Sequence, residues 1–146
     1  MTRVRVLGKD GYDLRGELLS SDTSREALAT YDFLDTRIDN SIVVKTATLG
    51  GALALLNDLD WYLTRYARAS EVLEPSVSDE EWLSRRLAER VYEDRIDADE
   101  TDEFYVVRGV KDGELLDPLY SRNEPAEYDL ADADFVTTTR IDETEF

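Results

Sequence analysis

Hydrophobic positions change period several times along the chain, and each change predicts an element. In Thr2 to Leu7 the residues Val4 and Val6 alternate with polar neighbours, which predicts a strand closed by Gly8 and the Asp10-Gly11 turn. A second extended segment is expected over Leu14 to Leu19. Thr23-Ser24-Arg25-Glu26 has the form of a capping box, so a helix is expected from Ser24 to Phe33 with Ala27, Leu28 and Tyr31 inward. Ile42-Val43-Val44 is short and β-branched, the mark of a buried strand. Leu49, Ala52, Leu53 and Leu56 then recur at i, i+3, i+4, i+7, predicting a helix capped by Thr48 and ended by Asn57-Asp58.

From Trp61 the apolar residues read as an alternating set. Trp61, Leu63 and Ala67 share one parity while Tyr62, Tyr66 and Arg68 share the other, so a long strand is expected to Val72, stopped by Pro75. Ser78-Asp79-Glu80-Glu81 is a second capping box, predicting a helix to about Glu93 with Leu83, Leu87 and Val91 inward, Trp82 at the margin and an ion pair from Glu81 to Arg85. Asp94 to Glu103 reads as an acidic connector. Tyr105 to Tyr120 predicts a hairpin around Asp112-Gly113, pairing Lys111 with Glu114, Val110 with Leu115 and Arg108 with Asp117, and Pro118 pushes its second strand toward an edge. A last strand is expected over Phe135 to Ile141. The sum is one compact domain over residues 1–146 of α+β class: about three helices on one face of a mostly antiparallel sheet of five or six strands, loosely ferredoxin-like in rhythm.

Charge alters this picture more than size does. The 146 residues include 34 acidic and 17 basic ones, a net charge of −17, and only Lys9, Lys45 and Lys111 of the basic set are lysines. Cys and His are both absent, which removes thiolate nucleophiles, the common structural zinc sites, the Ser-His-Asp and Cys-His constellations and an imidazole pH switch. Acid spread along the whole chain fits a surface adapted to concentrated salt, where screening shortens to about 3 Å at 1 M, better than a mimic of nucleic acid. With this composition, Leu55-Leu56-Asn57-Asp58-Leu59-Asp60-Trp61-Tyr62-Leu63 followed by Glu74-Pro75-Ser76-Val77-Ser78 resembles a small haloarchaeal family of unknown function. The resemblance implies a cytoplasm rich in potassium and brings no catalytic residue. The first ten residues build no secretory signal, and the longest mostly apolar run, Leu49 to Leu56, is far shorter than the roughly 20 residues of a membrane span. A cytoplasmic address is therefore expected.

The acid is unevenly shared. Residues 1–73 hold 11 acidic and 9 basic residues, net −2, whereas residues 74–146 hold 23 and 8, net −15. A nearly neutral first half points either to a docked surface or to a larger share of the core.

An enzyme without His or Cys would rely on carboxylates, Tyr, Ser/Thr, Lys or a hard metal ion. Asp58 and Asp60 form a D-x-D that can approach Mg²⁺, but the spacing recurs at Asp97/Asp99 and Asp132/Asp134, as expected by chance among so many carboxylates. An EF-hand begun at Asp97 fails, with Asp102 in place of Gly and Arg108 in place of the bidentate Glu. Gly50-Gly51 lacks a phosphate-loop context and is explained by a tight strand-to-helix junction. The remaining feature is a sheet face carrying Tyr62, Tyr66 and Arg68, which Arg3 and Arg5 join. Aromatic rings among guanidinium groups suit stacked, single-stranded RNA or a nucleotide; an uncovered aromatic face more often marks a protein interface. The expectation is accordingly a non-catalytic cytosolic binding or interaction module without cofactor or membrane partner, joined through that face to a protein partner or a second copy. RNA or nucleotide binding is the alternative, and a carboxylate/Mg²⁺ enzyme at Asp58 and Asp60 the third reading.

Overall fold

A computed structural model describes residues 1–129 and 131–146 of the chain. Among the described residues the class is α+β, with five α-helices and a nine-stranded, mostly antiparallel sheet. In chain order the elements are β1 (Thr2–Gly8), α1 (Leu14–Ser20), α2 (Asp22–Leu28), β2 (Phe33–Leu34), β3 (Ser41–Thr46), α3 (Leu49–Asp58), α4 (Asp60–Tyr66) and β4 (Ala67–Leu73). There follow β5 (Trp82–Ser84), α5 (Arg85–Tyr92), β6 (Phe104–Lys111), β7 (Glu114–Leu115), β8 (Leu119–Arg122) and β9 (Phe135–Ile141). The sheet order is β2-β3-β1-β4-β5-β9-β6-β7, with β8 also on β6, and β5 with β9 is its parallel pair. Both counts exceed the three helices and five or six strands expected, and the order departs from a ferredoxin-like rhythm. No helix among the described residues is long and apolar enough to cross a membrane.

Several elements form as their residues predict. Thr48 accepts a hydrogen bond from the Gly51 amide at 3.0 Å and caps α3, and β9 keeps the expected bounds. At the β6–β7 turn Asp112 and Gly113 take φ of 51° and 84°, and the pairs Lys111 with Glu114 and Val110 with Leu115 are in place. The third pair is not. The edge strand breaks around Pro118 and resumes one residue out of register, with Leu119 opposite Val107, and Arg108 turns to Glu71 instead of Asp117.

Other expectations are corrected, each for a local reason. Leu14 and Leu18 lie four apart, a spacing that serves a strand face and a helix face alike; Asp13 accepts from the Gly16 amide and α1 is a helix. The helix α2 starts at Asp22, so Thr23 lies inside it and its capping box does not form. Residues 61–72 divide into α4 and β4, because Leu59, Tyr62, Leu63 and Tyr66 already carry an i, i+3, i+4, i+7 stripe that begins two residues before Trp61. Ser78 does accept from the amides of Glu80 and Glu81, yet the chain then enters β5, and α5 begins only after a second cap, Ser84, which accepts from the Leu87 amide at 3.2 Å. Glu81 pairs with Arg140, not with Arg85.

The helices share one core with one face of the sheet. Leu14, Leu18, Leu28, Leu53, Leu56, Leu63 and Leu87 pack with Val4, Val6, Ile42, Val44, Val72 and Leu83. Among the described residues the buried members of this core lie before Leu73 except Leu83, Leu87 and Ala88, so the near-neutral first half is the half that supplies the core. The other face closes on itself. In a flat sheet β4 and β6 would stand three strand spacings, about 14 Å, apart. Glu71 of β4 nevertheless bonds to Arg108 of β6, and Leu7 of β1 packs with Val110 of β6. The sheet therefore curls about the three-residue β5 and brings its two halves together across the helix-free face.

Candidate binding cleft

Strand parity decides what the curled face encloses. Val4 and Val6 point to the helices, so Arg5 between them points the other way, and the register sets it opposite Glu71. Thr139 of β9 and Arg108 of β6 project onto the same face, and Trp82 of β5 is paired beside Thr139. The Glu71 carboxylate is satisfied on both oxygens. Its Oε1 accepts from Arg5 Nε at 2.9 Å and Nη2 at 2.6 Å; its Oε2 accepts from Arg108 Nη1 at 3.2 Å and from the Thr139 hydroxyl at 2.5 Å. The Arg5 guanidinium also stacks on Trp82, 4.2 Å from the ring centre. Glu71 is 2% exposed. Burial pushes its carboxyl upward, but the guanidiniums of Arg5 and Arg108 and the Thr139 hydrogen bond outweigh it and hold the group below its ordinary value.

Glu71, Arg108 and Thr139 of this cluster line the floor of an open cleft of about 380 Å³, and Arg5 supports Glu71 without lining it. Ala67 and Ala69 of β4 with Leu63 of α4 form one wall, and Val106 with Ile141 forms the other. Arg68, Arg85 and Tyr120 stand at the rim. Arg68 pairs with Asp10 at 2.9 Å, while Arg85 donates to Asp60 at 2.7 Å, Asn57 at 2.7 Å and Glu89 at 3.2 Å. Guanidinium groups keep their charge at any ordinary pH, and Glu71 is held ionised, so the floor has no proton to exchange near neutrality. What such an arrangement can do is hold a partner by charge, hydrogen bonds and apolar contact.

The residues singled out from sequence are dispersed. Arg68 lines the cleft and Arg5 holds its floor carboxylate Glu71 without itself lining it, whereas Arg3 is exposed on β1 outside the cleft. Tyr62 lies on α4, its hydroxyl 2.6 Å from that of Ser21, a contact that draws its phenol below the ordinary value. Tyr66 packs edge-on against Tyr12 with ring centres 5.4 Å apart. The helix α4 thus removes both tyrosines from the sheet face on which alternation had set them with Arg3, Arg5 and Arg68. Asp58 is exposed at the end of α3, and Asp60 is engaged by Arg85. A three-carboxylate group close enough to share a cation occurs at Asp97, Asp99 and Glu100, all exposed on a short 3₁₀ turn.

Glu71, Arg108 and Thr139 were not marked by any motif. The available signal is a charged residue set in an apolar strand at the parity away from the helices, as in Val4-Arg5-Val6 and Val107-Arg108, because a charge in such a place needs a partner.

Fold and cleft together define an α+β protein whose curled sheet encloses an ion cluster at the base of a small open cleft. The chain belongs to a family of unknown function, DUF5804, whose model matches residues 2–110. The match takes in Arg5, Glu71, Arg68, Arg85 and Arg108 and ends within β6. No curated protein and no solved structure matches the chain.

Proposed function

We propose that this protein is a non-catalytic binding module of a salt-adapted cytosol, and that its binding site is the cleft on the curled sheet face. The observation that carries this reading is the buried Arg5–Glu71–Arg108–Thr139 cluster, of which Glu71, Arg108 and Thr139 line an open cleft of about 380 Å³. That volume lies at the lower end of the range of about 300–1,000 Å³ typical of ligand pockets, and the floor is fixed by mutual hydrogen bonds before any ligand arrives. Fixed charges without a titrating acid or base favour binding over catalysis. The test is an amide NMR screen of the ¹⁵N-labelled protein against small neutral, anionic and cationic molecules. Shifts gathered on Ala69, Glu71, Val106, Arg108 and Thr139 are expected. Shifts confined to the Trp61 side of α4, or none, would count against the cleft.

Salt adaptation is the second part of the proposal, supported by the net charge of −17 and the scarcity of lysine. Repulsion within the acidic second half should loosen the fold in dilute buffer, and molar KCl should restore it. Circular dichroism across a KCl series reads this out, and full native structure at very low salt would refute it.

A further inference from the structure

The charge of the floor identifies what the cleft takes, given the reading of the cleft as a binding site. Arg5 and Arg108 bring two positive charges to the single negative charge of Glu71, which leaves one positive charge in excess in a buried place. The excess resides on Arg108. Arg5 gives Nε and Nη2 to Glu71 and its plane to Trp82, whereas Arg108, 9% exposed, gives only Nη1. Arg108 lines the open cleft, and among the described residues its Nε and Nη2 are not enclosed without a hydrogen-bond partner, so they keep contact with solvent. The other carboxylates nearby are committed. Asp60 holds Arg85 and Asp10 holds Arg68; Glu145, also on the cleft lining, accepts from the Ser84 hydroxyl and the Asp142 amide and is exposed, so its charge is screened by water and not set against Arg108.

We propose that the cleft binds a small organic carboxylate, a short-chain acid whose carboxylate bridges the free N–H groups of Arg108. A planar guanidinium with two unengaged donors matches a carboxylate in a bidentate pair. Its hydrocarbon part rests on Leu63, Ala67, Val106 and Ile141. One excess charge suits a monoanion, and because the rim arginines are already paired, a phosphate dianion finds no second counter-charge. Arg68, whose partner Asp10 is almost wholly exposed and so only partly cancels it, adds a weak long-range attraction from the rim.

The test titrates butyrate, its neutral isostere butyramide and inorganic phosphate into the ¹⁵N-labelled protein at one fixed KCl concentration. Butyrate is expected to shift the cleft amides and to bind at least tenfold more tightly than butyramide, with phosphate no tighter than butyrate. Arg108→Gln should weaken butyrate at least tenfold and Arg68→Gln about twofold, both judged on variants whose circular dichroism is native. Should Arg108→Gln fail to fold, the contrast between butyrate and butyramide in the wild type, with Arg68→Gln, decides the matter. Equal binding of butyramide in the cleft overturns the carboxylate assignment and leaves the cleft as a site; phosphate binding more tightly overturns it likewise. Binding of none of the three, together with an empty result in the wider screen, overturns the cleft itself.

Discussion

The two faces of the sheet bury their residues by opposite means. Toward the helices, Val4, Val6, Val44 and Val72 meet leucines of all five helices in a core without a charge. Toward the curl, the intervening positions of the same strands present Arg5 and Glu71, which meet Arg108 and Thr139 from the far half of the sheet. Apolar contacts on the first face are individually replaceable and act by area. The ionic contacts on the second compensate the desolvation of three charges only while all partners remain. A protein needing stability alone has a simpler solution in view on its own other face, which is why the cluster supports the binding role proposed above.

The sharpest way to separate the faces is to damage each once. Glu71→Gln leaves two buried guanidiniums without a counter-ion and should cost about 3–5 kcal/mol, read from urea unfolding at pH 7. Leu56→Ala, at the centre of the helix-side core, should cost about 2–5 kcal/mol by lost burial and a cavity. The totals overlap, but their pH dependence should not. A carboxyl whose folded pKa lies below its unfolded value of about 4.3 stabilises fully above that value and loses its contribution as pH falls through the folded one. The gap between wild type and Glu71→Gln should therefore be constant above about pH 5 and narrow as the pH falls below about 4. The gap between wild type and Leu56→Ala should stay level over the same series; equal narrowing in both would erase the distinction.

The smallest effect is expected at the cleft rim. Asp60→Asn removes one exposed partner of Arg85, which keeps Asn57 and Glu89, so the unfolding free energy should change by less than about 1 kcal/mol. A loss as large as that of Glu71→Gln would mean that rim and floor act as one network.

How far the sequence could be read differs between the faces for the same physical reason. The helix-side core is local and periodic: Leu49, Ala52, Leu53 and Leu56 announce α3, and the Asp112-Gly113 turn with its two neighbouring pairs announces β6 and β7. Where period was ambiguous, reading failed. Leu14 and Leu18 suit both elements, and starting the pattern at Trp61 instead of Leu59 turned α4 into strand and with it assembled a Tyr62/Tyr66 face that the fold takes apart. The curled face was hidden for a different reason. Glu71 lies 66 residues from Arg5, 37 from Arg108 and 68 from Thr139, and the curl that joins them follows from the brevity of β5, which was itself read as the start of a helix. Arg5 and Arg68, set by alternation on one aromatic face, instead lie near a cleft with a buried carboxylate, Arg68 on its lining and Arg5 bonded to Glu71.

The central claim is that the ion cluster serves the cleft and not the fold, and one variant tests it directly. Arg5→Met, Glu71→Leu and Arg108→Met together replace the charges by apolar groups, and buried ion clusters exchanged whole in this way are often neutral or more stable. The measurement is the urea midpoint of the triple variant at pH 7. The account predicts a midpoint at or above that of the wild type; a midpoint as low as that of Glu71→Gln alone would contradict it and make the cluster a structural element of the fold.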